Sequence, residues 1–353
     1  MEIFVYRHGA EKIEEGFSTE DLPGLLREKG SVIWLDILGD TPERIEQATK
    51  ILLNTFHFHP LTVEDCVEER NQPKVEPFPD HLYFIVHGIK TGETGPENFV
   101  TKELDGYLGA NYVVTFHLEH FSSIIAVKQQ LRATPFACTR GAAYLLHQIL
   151  DNIVDQYMPV VEDFDQSITD LEDRVFEAHN GSRAVLEDIM ELRRSVARLR
   201  RISARQREVL YRISHGEFQQ IKPDVLPFYR DVHDHLLRVT DLTESYRDLV
   251  AGLSDIHLSI VANRTNDVMK TLAVVSAIIL PLSLIAGIYG MNFEYMPELA
   301  WPWAYFATLG LMVAIAITLL FIFWWKGWIF QRDEPENKIA NTPKEPPRSD
   351  SAK

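Results

Sequence analysis

From Thr271 to Trp325 the chain has no lysine or arginine, and residues 271–293 and 299–325 carry no charged side chain of either sign. That absence excludes an ordinary soluble protein, because each run is long enough to cross roughly 30 Å of hydrocarbon as a helix. Cysteine is scarce as well. Cys66 and Cys138, far apart in sequence, cannot build a disulfide framework and fit a reducing compartment or inert packing. Positive charge is short overall, with 35 Lys plus Arg against 51 Asp plus Glu, and the net charge of −16 argues against nucleic acid as a partner. No G-x-x-x-x-G-K-[S/T] phosphate loop, nucleophile elbow or zincin helix occurs, so an ATP-driven pump, an enzyme and a nucleotide partner are not expected. The opening MEIFVYRHGAEKIEEG lacks the basic n-region and long apolar core of a secretory signal, so the soluble part is expected to stay in the cytoplasm.

What is present gives a topology. Arg264, Lys270, Lys326 and Arg332 flank the two apolar runs on their outer sides, so both termini are expected in the cytoplasm and the multi-pass chain in the plasma (inner) membrane. The short connection from Gly290 to Ala300 makes the spans a hairpin. Tyr289, Tyr295, Trp301 and Trp303 lie near its tip, and Trp324, Trp325 and Trp328 near the cytoplasm, where interfacial aromatic belts belong.

In the soluble part, EIFVYR, SVIWLDIL, DHLYFIVHGIK and NYVVTFHLE read as β-rich segments separated by helical stretches such as ERIEQATKILLNTF. Residues 1–135 are therefore expected to form an α/β domain, with a hairpin loop at Gly88–Asn98. Residues 136–227 read as a helical hairpin. One helix should run from Ala142 to about Ala178, stop at Asn180-Gly181-Ser182, and restart to about Ser214. The second carries eight arginines between Arg183 and Arg207 and the first is acidic, so antiparallel pairing would neutralise both. A third helix should run over residues 228–290 and continue into the first span, on the order of 90 Å. Residues 291–300 form the outer loop, 301–326 the second span, and 327–353 a charged, Pro-rich tail expected to be largely disordered.

Within the first span Ala273, Ser276, Leu280, Ser283, Gly287 and Gly290 recur at spacings of three and four and share one stripe. Such a stripe serves either close helix packing or a pore wall, and composition leaves both open. Pro281 should loosen the helix locally. Two helices cannot enclose a conduit, so transport would require several chains around one axis.

The first span ends in Tyr289-Gly290-Met291-Asn292, followed by Met296-Pro297-Glu298-Leu299. Taken with the two-span terminus and the long preceding helix, this resembles the CorA family of divalent-cation channels, and the likeness covers nearly the whole chain. FYRDVHDH, NRTNDVMK and, more loosely, VEDCVEERNQPKVE also look like family sequence. The resemblance implies a homopentameric funnel: an α/β cytoplasmic domain, a long-helix stalk and two C-terminal transmembrane helices. It implies passive influx of Mg²⁺, with Co²⁺ and Ni²⁺ as further cargo, selected in hydrated form at a ring of Gly290, Met291 and Asn292. Neutral amide and carbonyl oxygens suit an ion that sheds water reluctantly. By the same carry-over Asn266, Leu272, Leu280, Ser283 and Gly287 line the pore, with Leu272 and Leu280 as apolar constrictions. Glu294 and Glu298 in the outer loop either concentrate cations at the mouth or simply hydrate it.

Asp231 and His235 lie one helical turn apart, which by itself suggests no more than a surface pair. The resemblance implies that Asp231 meets Asp65 of a neighbouring subunit around a regulatory Mg²⁺, with Glu64, Asp155 and His235 as less certain ligands of such sites. Mg²⁺ would then be both cargo and regulator. One departure is that only Lys326 and Arg332 stand after the second span, where family members often carry a lysine cluster. The competing readings are a Zn²⁺-transporting relative of the same fold, suggested by the thirteen histidines, and a non-conducting membrane-anchored metal sensor or scaffold.

Overall fold

The structure, a computed structural model, describes residues 1–68, 71–92, 95–177, 182–292, 296–297 and 301–328, apart from the side chains of Thr91, Pro96 and Glu97. In chain order the first elements are β1 (Glu2–Arg7), α1 (Leu22–Leu25), β2 (Ser31–Leu38), α2 (Pro42–Asn54), α3 (Pro60–Val67), β3 (Lys74–Pro77), β4 (Leu82–Gly92), β5 (Gly95–Leu108) and β6 (Tyr112–His117). Helices follow: α4 (Ser122–Ala133), α5 (Phe136–Thr139), α6 (Ala142–Asp155), α7 (Tyr157–Glu177), α8 (Arg183–Ser214), α9 (Leu226–Tyr289) and α10 (Ala304–Trp325). The chain divides into two units inside α9, one of residues Met1–Leu258 and one beginning at Ser259.

In the first unit the six strands form one sheet in the order β1-β2-β6-β5-β4-β3, antiparallel except where β2 runs parallel to β6. Alternating side chains feed two cores. Val5, Ile33, Leu35, Tyr83, Ile85, Tyr107 and Val114 pack with Leu52 of α2 and Val63 and Cys66 of α3. The opposite set includes Phe4, Trp34 and Phe84, all essentially inaccessible to solvent. Helix α6 covers β4 and β6 there, while α7 and α8 cover β4 and β5. Burial on both faces explains why SVIWLDIL reads as an unbroken apolar run rather than an alternation. Both cysteines are buried and free.

Asp36 interrupts that run, and it is fully buried. Burial alone would raise its pKa, but His117 (Nε2 to Oδ1, 3.1 Å) and Lys128 (Nζ to Oδ2, 2.6 Å) outweigh it and hold the carboxyl down at about 2. Thr115 Oγ1 donates to Asp36 Oδ1 at 2.5 Å and accepts from Trp34 Nε1 at 2.9 Å. A single buried charge thereby ties β2, β6 and α4 together.

Three expectations need correction. The stretch Gly88–Asn98 is mostly strand: β4 runs on to Gly92 and β5 starts at Gly95. Strand β5 is concealed in sequence by Glu103 and Asp105; Asp105 is buried and accepts a hydrogen bond from the Tyr83 hydroxyl at 2.6 Å. Burial, with Glu103 nearby, pushes the Asp105 pKa well up, against the lowering effect of the Tyr83 hydrogen bond. Beside it Gly106 is obligatory, since a Cβ there would lie 2.2 Å from the Phe84 ring.

The single helix expected from Ala142 to Ala178 is two, α6 and α7, parted at Gln156. Pro159 has no N–H to offer the carbonyl one turn back, and the ladder breaks there. The acidic and basic helices also do not simply neutralise one another. Arg174 of α7 pairs with Asp188 of α8, but Arg200 turns to Glu244 of α9, Arg198 lies 4.0 Å over the Phe99 ring, and Arg212 donates to the Val75 carbonyl at 2.9 Å. The apolar stripe of α8, Val185, Ile189, Leu192, Val196 and Leu199, occupies the packing face and sends the arginines elsewhere.

The second unit holds the end of α9 and all of α10, each long and apolar enough to cross a membrane. Helix α10 has no buried residue, in keeping with a side-chain set that is apolar all round. Helix α9 passes through Pro281 without ending.

Candidate functional site

Two groups of residues lie at opposite ends of α9. At its C-terminal end the helix closes with Gly290 N–H donating to Ala286 O (2.9 Å) and Met291 N–H to Ile288 O (3.2 Å). A Cβ on Gly290 would sit 3.1 Å from the Ala286 carbonyl, a tight contact that asks the turn to give by a few tenths of an ångström. The helix therefore delivers Asn292 immediately beyond its last turn. Asn266, Leu272, Leu280, Ser283 and Gly287 are all exposed in the single chain, Leu272 and Leu280 at 66% and 74%. Two bare leucines of that degree in a span need either lipid or further protein to cover them. Glu294 and Glu298 lie outside the described residues.

Near its N-terminal end α9 packs along α6. The Tyr229 hydroxyl donates to Ala143 O at 2.7 Å, and the His147 ring stands 5.5 Å and 5.7 Å from those of Phe228 and Tyr229. Ala143, His147, Asp151 and Asp155 follow at intervals of four on α6, so the stripe that begins as packing ends as two carboxylates. His235 of α9 meets them: its Nδ1 is 3.8 Å from Asp155 Oδ1, and ligand atoms of Asp151, Asp155 and His235 all lie within 4.8 Å of one another. Partial burial, and then Asp155, push the Asp151 pKa up to about 6; Asp231 adds to the same repulsion, against the relief that His235 gives. A site with more negative charge than it can comfortably ionise is receptive to a cation. Two carboxylates with an imidazole fit a divalent ion that keeps part of its water shell.

Asp155 and His235 are thus brought together, and Asp151 joins them although sequence reading missed it. Its signal was present in the i, i+4 spacing of Asp151 and Asp155. Asp231 is exposed one turn before His235. Glu64 and Asp65 lie apart from this cluster on α3, where Glu64 is exposed and Asp65 Oδ2 takes the Lys74 ammonium at 2.5 Å. Helix α3 itself is capped by His59, whose Nδ1 accepts from Leu61 N–H at 3.2 Å, and His57 holds a left-handed φ of 56° just before it. These two histidines serve the helix start.

Comparison with known proteins bears on the whole chain. The family model of CorA-like Mg²⁺ transporter proteins matches residues 29–326. The cobalt/magnesium transport protein CorA of Thermotoga maritima is 33% identical over 93% of each chain. That of Methanocaldococcus jannaschii is 26% identical over 84% of this chain and 92% of its own. The solved structure of the CorA magnesium transporter from Methanocaldococcus jannaschii superposes with a TM-score of 0.78 at 23% identity, over 93% of this chain and 98% of that one, and so shares its fold. The α/β domain, the long helix and the two apolar C-terminal helices are the fold this chain shares with that structure, and the chain belongs to the CorA-like Mg²⁺ transporter family.

Proposed function

We propose that this protein is a passive divalent-cation channel, with Mg²⁺ as its main cargo and Co²⁺ and Ni²⁺ as further ones, working as a homopentamer in the plasma (inner) membrane with both termini cytoplasmic. The observation that carries the reading is the end of α9, where a span with an exposed Asn266, Leu272, Leu280, Ser283 stripe closes at Gly290 and presents Asn292. Five such ends around an axis form a collar of amide and carbonyl oxygens that binds a hydrated ion through its waters and releases it readily. The proposed lining offers amide and hydroxyl oxygens and no imidazole or thiolate, which favours Mg²⁺ over Zn²⁺. A divalent ion gains about 4.6 kcal/mol per 100 mV of inside-negative potential, twice the single-charge value, and needs no nucleotide.

Regulation follows from the acids. Asp151, Asp155 and His235 would hold one cytosolic Mg²⁺, and Asp65 with Asp231 of a neighbouring subunit another. When the ion is scarce these carboxylates repel and favour opening; when it is plentiful they are bridged and the channel closes. Mg²⁺ flux into liposomes containing the purified protein, with and without Zn²⁺ competition, tests the function: no flux would favour the sensor reading, and Zn²⁺ flux at low competing Mg²⁺ the zinc one.

A further inference from the structure

The β2 and β6 pair is the parallel one in the sheet, and a cavity of about 460 Å³ opens at its carboxyl ends, lined in part by the buried Asp36 and sharing no residue with the Asp151, Asp155 and His235 cluster. Clefts of this size at such strand ends are where open α/β sheets take small molecules. Its walls are chemically divided. Ile124 and Ile125 of α4 form an apolar side, with Ile125 44% exposed. Arg44, His120, Lys128 and Arg132 supply basic groups on a chain whose net charge is −16. Helix α4 starts at the cavity from Phe121, which gives no side-chain cap, and its first turn carries no acidic residue.

The ion pairs in the cavity are unevenly made. Lys128 is committed to Asp36 at 2.6 Å, but its second acid, Glu2, stands 3.2 Å away, and Arg132 reaches the other Glu2 oxygen only at 3.4 Å. Arg132 is otherwise held by a two-pronged pair with Glu15, both contacts at 2.9 Å, and Arg44 by Asp40 (2.7 Å). Glu2, half exposed, is a loosely held carboxylate bridging an ammonium and a guanidinium. Exposed pairs of that kind exchange at little cost, and a second oxyanion of better shape would meet the same donors.

We propose that this cavity binds a small organic oxyanion, a phosphorylated or carboxylated metabolite, with its charged head against Lys128, Arg132 and Arg44 and its apolar body on Ile124 and Ile125. Glu2 acts as the resident competitor for the head group. The site is independent of the cation pathway.

Calorimetric titration of the full chain in detergent, without divalent ions, with phenyl phosphate, phenylacetate and inorganic phosphate tests this. Phenyl phosphate should bind saturably, one per chain, about tenfold tighter than inorganic phosphate, which lacks the apolar body. Arg132→Glu should weaken it at least about tenfold by replacing a cation with an anion at the head-group end, and Glu2→Gln should strengthen it. Phenylacetate binding as tightly as phenyl phosphate would assign a carboxylate ligand, and weaker binding a phosphate one; both support the site. Absence of saturable binding by either aromatic anion, equal binding of inorganic phosphate, or an affinity unmoved in Arg132→Glu protein that melts like the parent would overturn it.

Discussion

Asp155 of α6 and His235 of α9 stand 3.8 Å apart, with Asp151 one turn back on α6 completing the group. The two helices are held in that alignment by aromatic packing at their N-terminal ends, so the cluster is a product of the soluble unit's own core and is expected to respond to metal and to protons.

Asp151 has its folded-state pKa raised to about 6 from an ordinary 3.8. The unfolded chain releases this proton first, so stability should fall as pH rises from about 4 to about 6, with the full penalty above that window. Asp151→Asn should therefore stabilise the metal-free protein at neutral pH by about 1–2 kcal/mol and flatten this part of the pH profile. Mg²⁺ should raise the Tm of the parent more than that of the variant. Thermal unfolding in EDTA and in Mg²⁺ across the pH range checks both; a variant with the parent's profile would refute the assignment.

Lys74 competes with any cation for Asp65. Lys74→Ala should shift channel closure to lower internal Mg²⁺, whereas Asp65→Asn should shift it to higher internal Mg²⁺ while conduction survives. Flux measured against internal Mg²⁺ in proteoliposomes reads the two shifts, and movement in the same direction would remove Asp65 from the regulatory site.

At the outer mouth, Asn292→Ala should abolish selective Mg²⁺ uptake without dissolving the oligomer. Gly290→Ala should have a smaller effect on uptake, because its methyl would crowd the Ala286 carbonyl at 3.1 Å, a contact that a few tenths of an ångström of adjustment relieves. Uptake assays paired with size-exclusion of the same samples separate a lost filter from a lost assembly. Parent-like uptake by Asn292→Ala would sink the filter proposal.

Lys128→Met leaves the buried Asp36 charge with His117 and Thr115 alone and should cost about 3 kcal/mol of stability. In the parent, Asp36 is depressed to about 2, so its contribution is present above pH 4 or thereabouts and is lost as pH falls through about 2. Chemical denaturation of parent and variant at neutral pH measures the first effect.

The spans, the long helix and four strands were legible because each repeats one kind of side chain over its whole length, as SVIWLDIL and WAYFATLGLMVAIAITLLFIFWW do. Strand β5 was not, because its acids look like surface. The hydrogen bond from the Tyr83 hydroxyl gives Asp105 its partner inside, and that partner lies 22 residues away in sequence. Asp155 and His235 could be named singly, and the i, i+4 spacing put Asp151 on the face of Asp155, but that this face meets His235 is a three-dimensional fact, the docking of α6 beside the start of α9, that spacing along one segment does not encode. The arginines of α8 misled for the converse reason: their helix turns them toward several elements, and sequence shows charge without direction.

Trp34 is the one tryptophan before Trp301, and its indole N–H is fixed to Thr115, itself bonded to the ionised Asp36. The soluble unit thus carries a single indole, selectively excited at wavelengths where its tyrosines do not absorb, in a defined electrostatic field. Subtracting the emission spectrum of Trp34→Phe protein from that of the parent isolates its light from the five indoles of the hydrophobic hairpin, giving an optical readout of events on the sheet in the intact, unlabelled protein.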